Sequence, residues 1–208
     1  MAHAAASRCR VRKTLNVSCT SCCEVAEVAR SVTSEVAVGA IVVAPLFVGF
    51  AAHGLCIRAG LLDGLAVPIH RRLFGANKTY RGLLAVALGT AAGFVVLRPP
   101  ELVAPVASLY RLALVGFAVG FVAMLAELPN SFMKRRIGIA PGTQARGLAG
   151  VAFHVLDQVD VVCGAWLVLA FLMTPTLPRL AGSLATVYVG HQILSLAGYW
   201  LGMRRTPR

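Results

Sequence analysis

The sequence predicts an all-α integral membrane protein with about five transmembrane helices and two cytoplasmic polar loops that form its site. Three observations carry that expectation. Hydrophobic residues make up 58% of the 208-residue chain and charged residues only 13%, where an ordinary soluble domain is about 25% charged. Several charge-free stretches are long enough to cross a bilayer. The net charge of +12, from 20 Lys and Arg against 8 Asp and Glu, is crowded into some connections and sparse in others, as when basic residues stay on the cytoplasmic side. This balance excludes an ordinary soluble globule and a disordered chain. It leaves no soluble basic domain for nucleic acid and favours anionic headgroups or phosphates.

Residues 1–35 read as a polar, poorly ordered N-terminal tail, and 36–208 as the membrane domain. The tail carries Arg8, Arg10, Arg12, Lys13 and Arg30, and no apolar core follows the basic run as a signal peptide requires. Four of the six cysteines, Cys9, Cys19, Cys22 and Cys23, fall there. Their single C-x2-C spacing is a weak metal signal, because a zinc ribbon needs a second pair. Cys56 and Cys163 lie in apolar stretches and read as small core residues.

The expected spans are 36–57, 83–97, 109–125, 156–173 and 184–201. Gly89 and Gly93 in the second are spaced for close helix packing. Arg111 sits near one end of the third, where it can reach the interface. Connection 58–81 holds Arg58, Arg71, Arg72, Lys78 and Arg81; connection 127–155 holds Lys134, Arg135, Arg136 and Arg146; the tail holds Arg204, Arg205 and Arg208. The opposite connections hold only Arg98 with Glu101, and Arg179. The expectation is a multi-pass protein of the cell membrane, with the two basic connections and the C-terminus in the cytoplasm and the N-terminus outside. The basic residues of the N-terminal tail run against that rule.

Three polar strings carry candidate chemistry. The first, Arg71-Arg72-Leu73-Phe74-Gly75-Ala76-Asn77-Lys78-Thr79-Tyr80-Arg81-Gly82, runs straight into a span. Its glycines permit tight backbone, and Lys78, Thr79 and Arg81 bring cations and a hydroxyl to a helix N-terminus, which suits phosphate. The same composition also suits a basic loop anchoring helices at headgroups. The second, Glu127-Leu128-Pro129-Asn130-Ser131-Phe132-Met133-Lys134-Arg135-Arg136, ends a span with an acid. Pro129 is expected to break or kink the helix so that polar groups face a cavity. The third, Asp157-Gln158-Val159-Asp160, opens the fourth span with two carboxylates at i, i+3, on one helical face. Acids at membrane depth are costly and usually functional. Two together point to a divalent cation, Mg2+ by its taste for a few carboxylates plus phosphates. The alternative is a pair of acids suiting a helix N-terminus. Taken together, the strings are equipment for phosphoryl or nucleotidyl transfer to a membrane lipid.

At these residues the sequence resembles the CTP-transferase superfamily, in particular the CDP-archaeol synthase branch related to CDP-diacylglycerol synthase. The matching pieces are Phe74-Gly75-x-x-Lys78-Thr79-x-Arg81-Gly82, then Ser131-Phe132-x-Lys134-Arg135-Arg136 with Gly138 and Pro141-Gly142, then Asp157-Gln158-x-Asp160. A C-terminal piece runs from His191 through Gly198-Tyr199, Gly202 and Arg204 to Pro207. The resemblance implies a five-helix membrane enzyme that joins CTP to a lipid phosphate, with Mg2+. It implies CTP contacts from Asn77, Lys78, Thr79, Arg81, Gly82, Ser131, Lys134 and Arg135. Metal would be held by Asp157 and Asp160, with Glu127 as a third ligand, and catalysis carried by Lys78, Lys134, Asp157 and Asp160. Arg71, Arg72 and Arg136 are placed to attract the lipid phosphate. Glu127, Ala76 and His70 stand where the family usually has acids, Glu127 replacing an Asp.

His53, His154 and His191 lie near expected interfaces and read as hydrogen-bonded structural residues. Trp166, Trp200, Tyr188 and Tyr199 read as packing or interface anchors. Rival readings are a CTP-dependent polyprenol or phytol kinase, a transporter or channel, and a non-catalytic nucleotide-binding scaffold. A homo-oligomer is compatible with all of them.

Overall fold

The structure, a computed structural model, describes residues 19–106, 108–141, 143 and 147–202. The N-terminal cysteine cluster lies outside the described side chains, as do Arg146 and the C-terminal arginines. Among the described residues seven α-helices follow in order: α1 (Cys19–Val43), α2 (Pro45–Arg58), α3 (Tyr80–Leu97), α4 (Pro100–Val106), α5 (Leu109–Arg136), α6 (Gly147–Leu169) and α7 (Leu177–Trp200). Five segments are long and apolar enough to cross a membrane: Glu27–Arg58, Tyr80–Leu97, Leu109–Arg136, Gly147–Leu169 and Leu177–Trp200. The chain is thus an all-α, multi-pass membrane protein.

The expected spans are found with longer ends. α1 begins at Cys19, so residues 19–35 of the expected tail are helical. α1 and α2 abut at Ala44, because Pro45 has no N–H to give; Ala44 still donates to Ala40 at 3.1 Å. α5 does not stop before its polar string. It passes through Pro129 and ends only at Arg136, so the expected loop from Glu127 onward is nearly three more turns of helix. Forfeiting one hydrogen bond at Pro129 does not end a helix whose remaining bonds are intact. α6 begins at Gly147, which puts Asp157 and Asp160 in its interior; the reading of acids suiting a helix N-terminus falls with that boundary. The short α4 was not expected. It buries Leu102 and Val106 in the core formed with Val42, Val43, Leu46, Phe94 and Val119.

α3 packs between α2 and α5, α6 lies on α5, and α7 leans on α1. Small residues set these approaches, as is usual where lipid removes the hydrophobic drive between helices. At the α1–α7 crossing a Cβ on Gly39 would strike the Arg179 carbonyl, and one on Gly182 would strike that of Val36. Beside it, buried Trp166 donates to Ser183 Oγ at 2.9 Å and Ser183 donates to the Gly39 carbonyl at 2.8 Å, linking α6, α7 and α1. The far end of the crossing is closed by Arg179, which pairs with Glu35. Thr176 adds a 3.1 Å bond to the same carboxylate. Arg179→Ala is expected to lower the thermal midpoint in detergent slightly, with the kinetics of the opposite end unchanged.

Candidate active site

One end of the bundle gathers the C-terminus of α2, the start of α3, the last turns of α5, the first half of α6 and the end of α7. Arg58 there donates to the Leu201 carbonyl at 2.9 Å. The connection into α3 is held by backbone: Ile69 N–H donates to Lys78 at 2.8 Å, Tyr80 N–H to Val67 at 3.1 Å, and Pro68 bridges Thr79. Within it Gly75 has a φ of +95°, which favours glycine. A Cβ on Gly75 would also lie 3.3 Å from Arg135 Nε and 3.1 Å from Pro141 Cγ. The first polar string therefore closes directly onto the end of α5.

Two lysine–carboxylate pairs organise the site, each with one member on α5. Lys78 pairs with Glu127. Two turns further on, Lys134 Nζ lies 2.6 and 2.7 Å from the two oxygens of Asp157. Asn130 lies between them on the same face and donates to Asp157 at 2.7 Å. Its side chain also faces Asp160, on which the charges of Asp157, Glu127 and Lys134 act. Asp160 Oδ2, Asn130 Oδ1 and Arg135 Nε are buried without a hydrogen-bond partner, a costly state in the absence of a ligand.

The other expected residues divide into those the structure brings together and those it uses locally. Thr79 caps α3, its hydroxyl accepting the Gly82 N–H at 3.2 Å. Arg81 turns away to Asp63 at 2.6 Å. Ser131 is buried on α5. Asn77, Arg71 and Ala76 are exposed in the connection, and His70 Nδ1 accepts the Leu73 N–H at 3.2 Å. Arg135 donates to the Ile139 carbonyl, and Arg136 stacks 4.9 Å from the Phe132 ring centroid. Arg72, Leu73, Phe132, Arg135 and Arg136 line a cavity of ≈ 390 Å³ beside these groups. Three arginines among its lining residues give it a cationic character that suits an anionic phosphate ligand.

Sequence reasoning missed three residues. Asn130 sits in the second string, where its residue type alone suggests no role. Asp63, which no pattern in the first connection singles out, holds Arg81. His53 was read as structural, yet its Nε2 lies 3.2 Å from where a Gly82 Cβ would sit, and the charges of Arg81, Glu127 and Lys78 act on it. It is part of the wall of the site.

Among the described residues no three His, Cys, Asp or Glu side chains converge as a preformed metal cage. The expected trio is not assembled, because Glu127 is turned to Lys78. Asp157 and Asp160 do fit a divalent cation: they share one flank of α6, and Asp160 Oδ2 is buried with no partner. Mg2+ commonly takes only one or two protein carboxylates and completes its shell with phosphate and water.

Residues 42–207 match the CarS-like CDP-archaeol synthase family. This chain belongs to that family. The CDP-archaeol synthase of Aeropyrum pernix is 34% identical over 146 residues, 69% of this chain and 75% of the relative. That of Methanoregula boonei is 32% identical over 153 residues, 66% of this chain and 82% of the relative. The Sulfurisphaera tokodaii protein of the same name is 31% identical over 152 residues, 72% and 78% of the two chains. No solved structure matches. The CDP-archaeol synthase match takes in all three polar strings and starts only at Val42, so most of α1 lies outside it.

Proposed function

We propose that this chain joins CTP to a membrane lipid phosphate, releasing pyrophosphate and a CDP-activated lipid of the archaeol or diacylglycerol kind. Membership of the CDP-archaeol synthase family makes it a CTP-dependent lipid cytidylyltransferase. The observation that carries the site assignment is the convergence of Lys78, Lys134, Asp157 and Asp160, from three separate strings, around Glu127 and Asn130 of α5. By the distribution of basic residues, that end faces the cytoplasm and the N-terminus lies outside.

A lipid phosphate oxygen attacks the α-phosphorus of CTP in line. The new P–O bond forms as the α–β bridging P–O bond breaks, and its electron pair leaves on pyrophosphate. No protein nucleophile is needed, so Ser131 binds rather than attacks. Lys78 and Lys134 give up their carboxylates to the triphosphate, where fixed cations offset charge that shifts onto the leaving group. Asp157, freed in the exchange, and Asp160, whose Oδ2 has no partner, would hold Mg2+, with Glu127 as a further ligand once Lys78 no longer pairs with it. When bound, that ion supplies Lewis-acid neutralisation of phosphate charge. Arg72 and Arg136, on the cavity wall, draw in the lipid phosphate, with Arg71 beside them; Arg135 steadies the pyrophosphate. Asn77, Arg81 and the start of α3 at Thr79 and Gly82 hold the remaining parts of CTP.

Purified protein incubated with α-labelled CTP and a panel of ether-linked and ester-linked lipid phosphates, together with polyprenol and phytol as alcohol acceptors, is expected to give labelled CDP-lipid and unlabelled pyrophosphate. Labelled CDP together with a newly phosphorylated lipid alcohol would identify a kinase instead. The Arg72→Ala/Arg136→Ala double variant is expected to raise KM for lipid phosphate by about tenfold or more, with KM for CTP little changed.

A further inference from the structure

We propose that Gln158 and His191 are a positioning pair that sets the rotation of α6, and so aims Asp157 and Asp160 at α5. The inference rests on the reading of those two carboxylates as cation ligands.

Successive helix residues point about 100° apart. Asp157 and Asp160 therefore share one flank of α6, and Gln158, between them in sequence, points to the next. Gln158 is only 3% exposed, and its Nε2 lies 2.6 Å from His191 Nδ1 on α7. An amide NH2 can only donate, so the imidazole nitrogen accepts. A second rung lies one turn nearer the start of α6: Gln192 Nε2 is 3.3 Å from His154 Nε2. The two imidazoles stack with centroids 6.4 Å apart, and Tyr188 meets His154 edge-on. These polar rungs tie α6 to α7 at the depth of the carboxylates.

Little else holds this half of α6 from that side. Leu148 is 90% exposed and Val151 63%, so the first turns are not packed into the bundle. On the opposite flank the restraints are the bonds from Lys134 and Asn130 to Asp157 and the contact of the Lys134 ammonium with the Phe153 ring. Those are the bonds the proposed reaction must loosen when Lys134 moves to the triphosphate. The second half of α6 stays fixed by Gly164 against Ala123 and by the Trp166–Ser183 bond, but the first half would then keep on this flank only groups that are themselves moving. The Gln158–His191 bond involves no reacting group and persists, keeping both carboxylates in register. Residues that orient ligands in this way typically change metal affinity by about 10–100-fold when removed.

The test uses the full chain in detergent, Mn2+ as the probe, and a non-hydrolysable CTP analogue, with bound Mn2+ read by electron paramagnetic resonance. His191→Phe keeps a ring against His154 but cannot accept; Gln158→Met keeps volume but cannot donate. Each is expected to weaken Mn2+ binding about tenfold and to raise the cation concentration for half-maximal activity in parallel, with KM for lipid phosphate unchanged. His191→Gln, which restores an acceptor, is expected to recover most of the binding. The Gln158→His/His191→Gln double variant, which reverses the pair, should recover it as well. Folded His191→Phe and Gln158→Met proteins that bind Mn2+ like the parent would overturn the proposal. So would loss of folding in both, because the bond would then serve the fold rather than the aim of the carboxylates. Asp157→Asn separates the two layers: unchanged Mn2+ binding in that variant sinks the cation reading itself, whereas loss there with none in His191→Phe sinks only the positioning pair.

Discussion

Asp157→Asn is expected to lower CDP-lipid formation by at least about 10²-fold, the usual scale for removing one group that stabilises charge in a transition state. The variant keeps the side chain's shape and one acceptor oxygen, so Asn130 retains a partner. What it removes is the negative charge between Lys134 and the neighbouring Asp160. The direct effect on folding is small: Asp157 is 40% exposed and Lys134 17%, and a pair that open to solvent is worth about 1 kcal/mol or less. The loss should therefore appear in initial rates with labelled CTP and not in the thermal midpoint. Lys134→Met makes the complementary change. It leaves Asp157 with only its Asn130 bond and removes a cation from the triphosphate, so KM for CTP should rise as kcat falls. An Asp157→Asn enzyme working at more than half the parent rate would mean that this carboxylate neutralises nothing in the reaction.

The spans and the clustering of basic residues were legible because both follow from solvent transfer: apolar runs mark the hydrocarbon, and cations avoid it. Helix ends were not legible, because apolar scoring stops where charge begins while backbone hydrogen bonding does not. α5 and α6 both extend past the apolar run, and that extension makes the site. Had residues 127–136 been read as helix, Glu127, Asn130, Ser131 and Lys134 would have stood out at i, i+3, i+4 and i+7, one polar stripe on a single face. Asn130 was missed for want of that step. The pairing of Lys78 with Glu127 was not legible at all, since nothing local in either string specifies a partner 49 residues away. It also accounts for the one metal assignment the structure does not assemble: in the absence of ligand, a lysine is the nearest counter-charge for Glu127. His53 shows the same limit from the other side. A lone histidine in an apolar span carries no pattern, and only the approach of α2 to α3 over Gly82 brings it to the site.

Gly164→Leu should disable the enzyme more completely than any change to a single cation. A Cβ at this position would lie 2.6 Å from Ala123 Cα and 2.8 Å from both Ala126 Cβ and the Val122 carbonyl oxygen. All three atoms are backbone or bonded directly to it, so no rotamer change relieves the clash, and α5 and α6 must part. Even Gly164→Ala is expected to cost about 1–3 kcal/mol, the range for overpacking a close contact. The consequence reaches the site because Gly164 lies one turn from Asp160 and two from Asp157 on the same helix. The Lys134–Asp157 contacts of 2.6 and 2.7 Å leave less than 1 Å before hydrogen-bond geometry is lost, and a misplacement of about 1 Å can cost 10²-fold in rate. Gly164→Ala should therefore show a lowered thermal midpoint together with weakened turnover, and Gly164→Leu should yield little folded protein. Gly64→Ala, where a Cβ meets nothing within 4 Å, should change neither. If Gly164→Leu folds and turns over normally, α5 and α6 do not meet at this glycine, and the carboxylates of α6 cannot reach Asn130 and Lys134 as described.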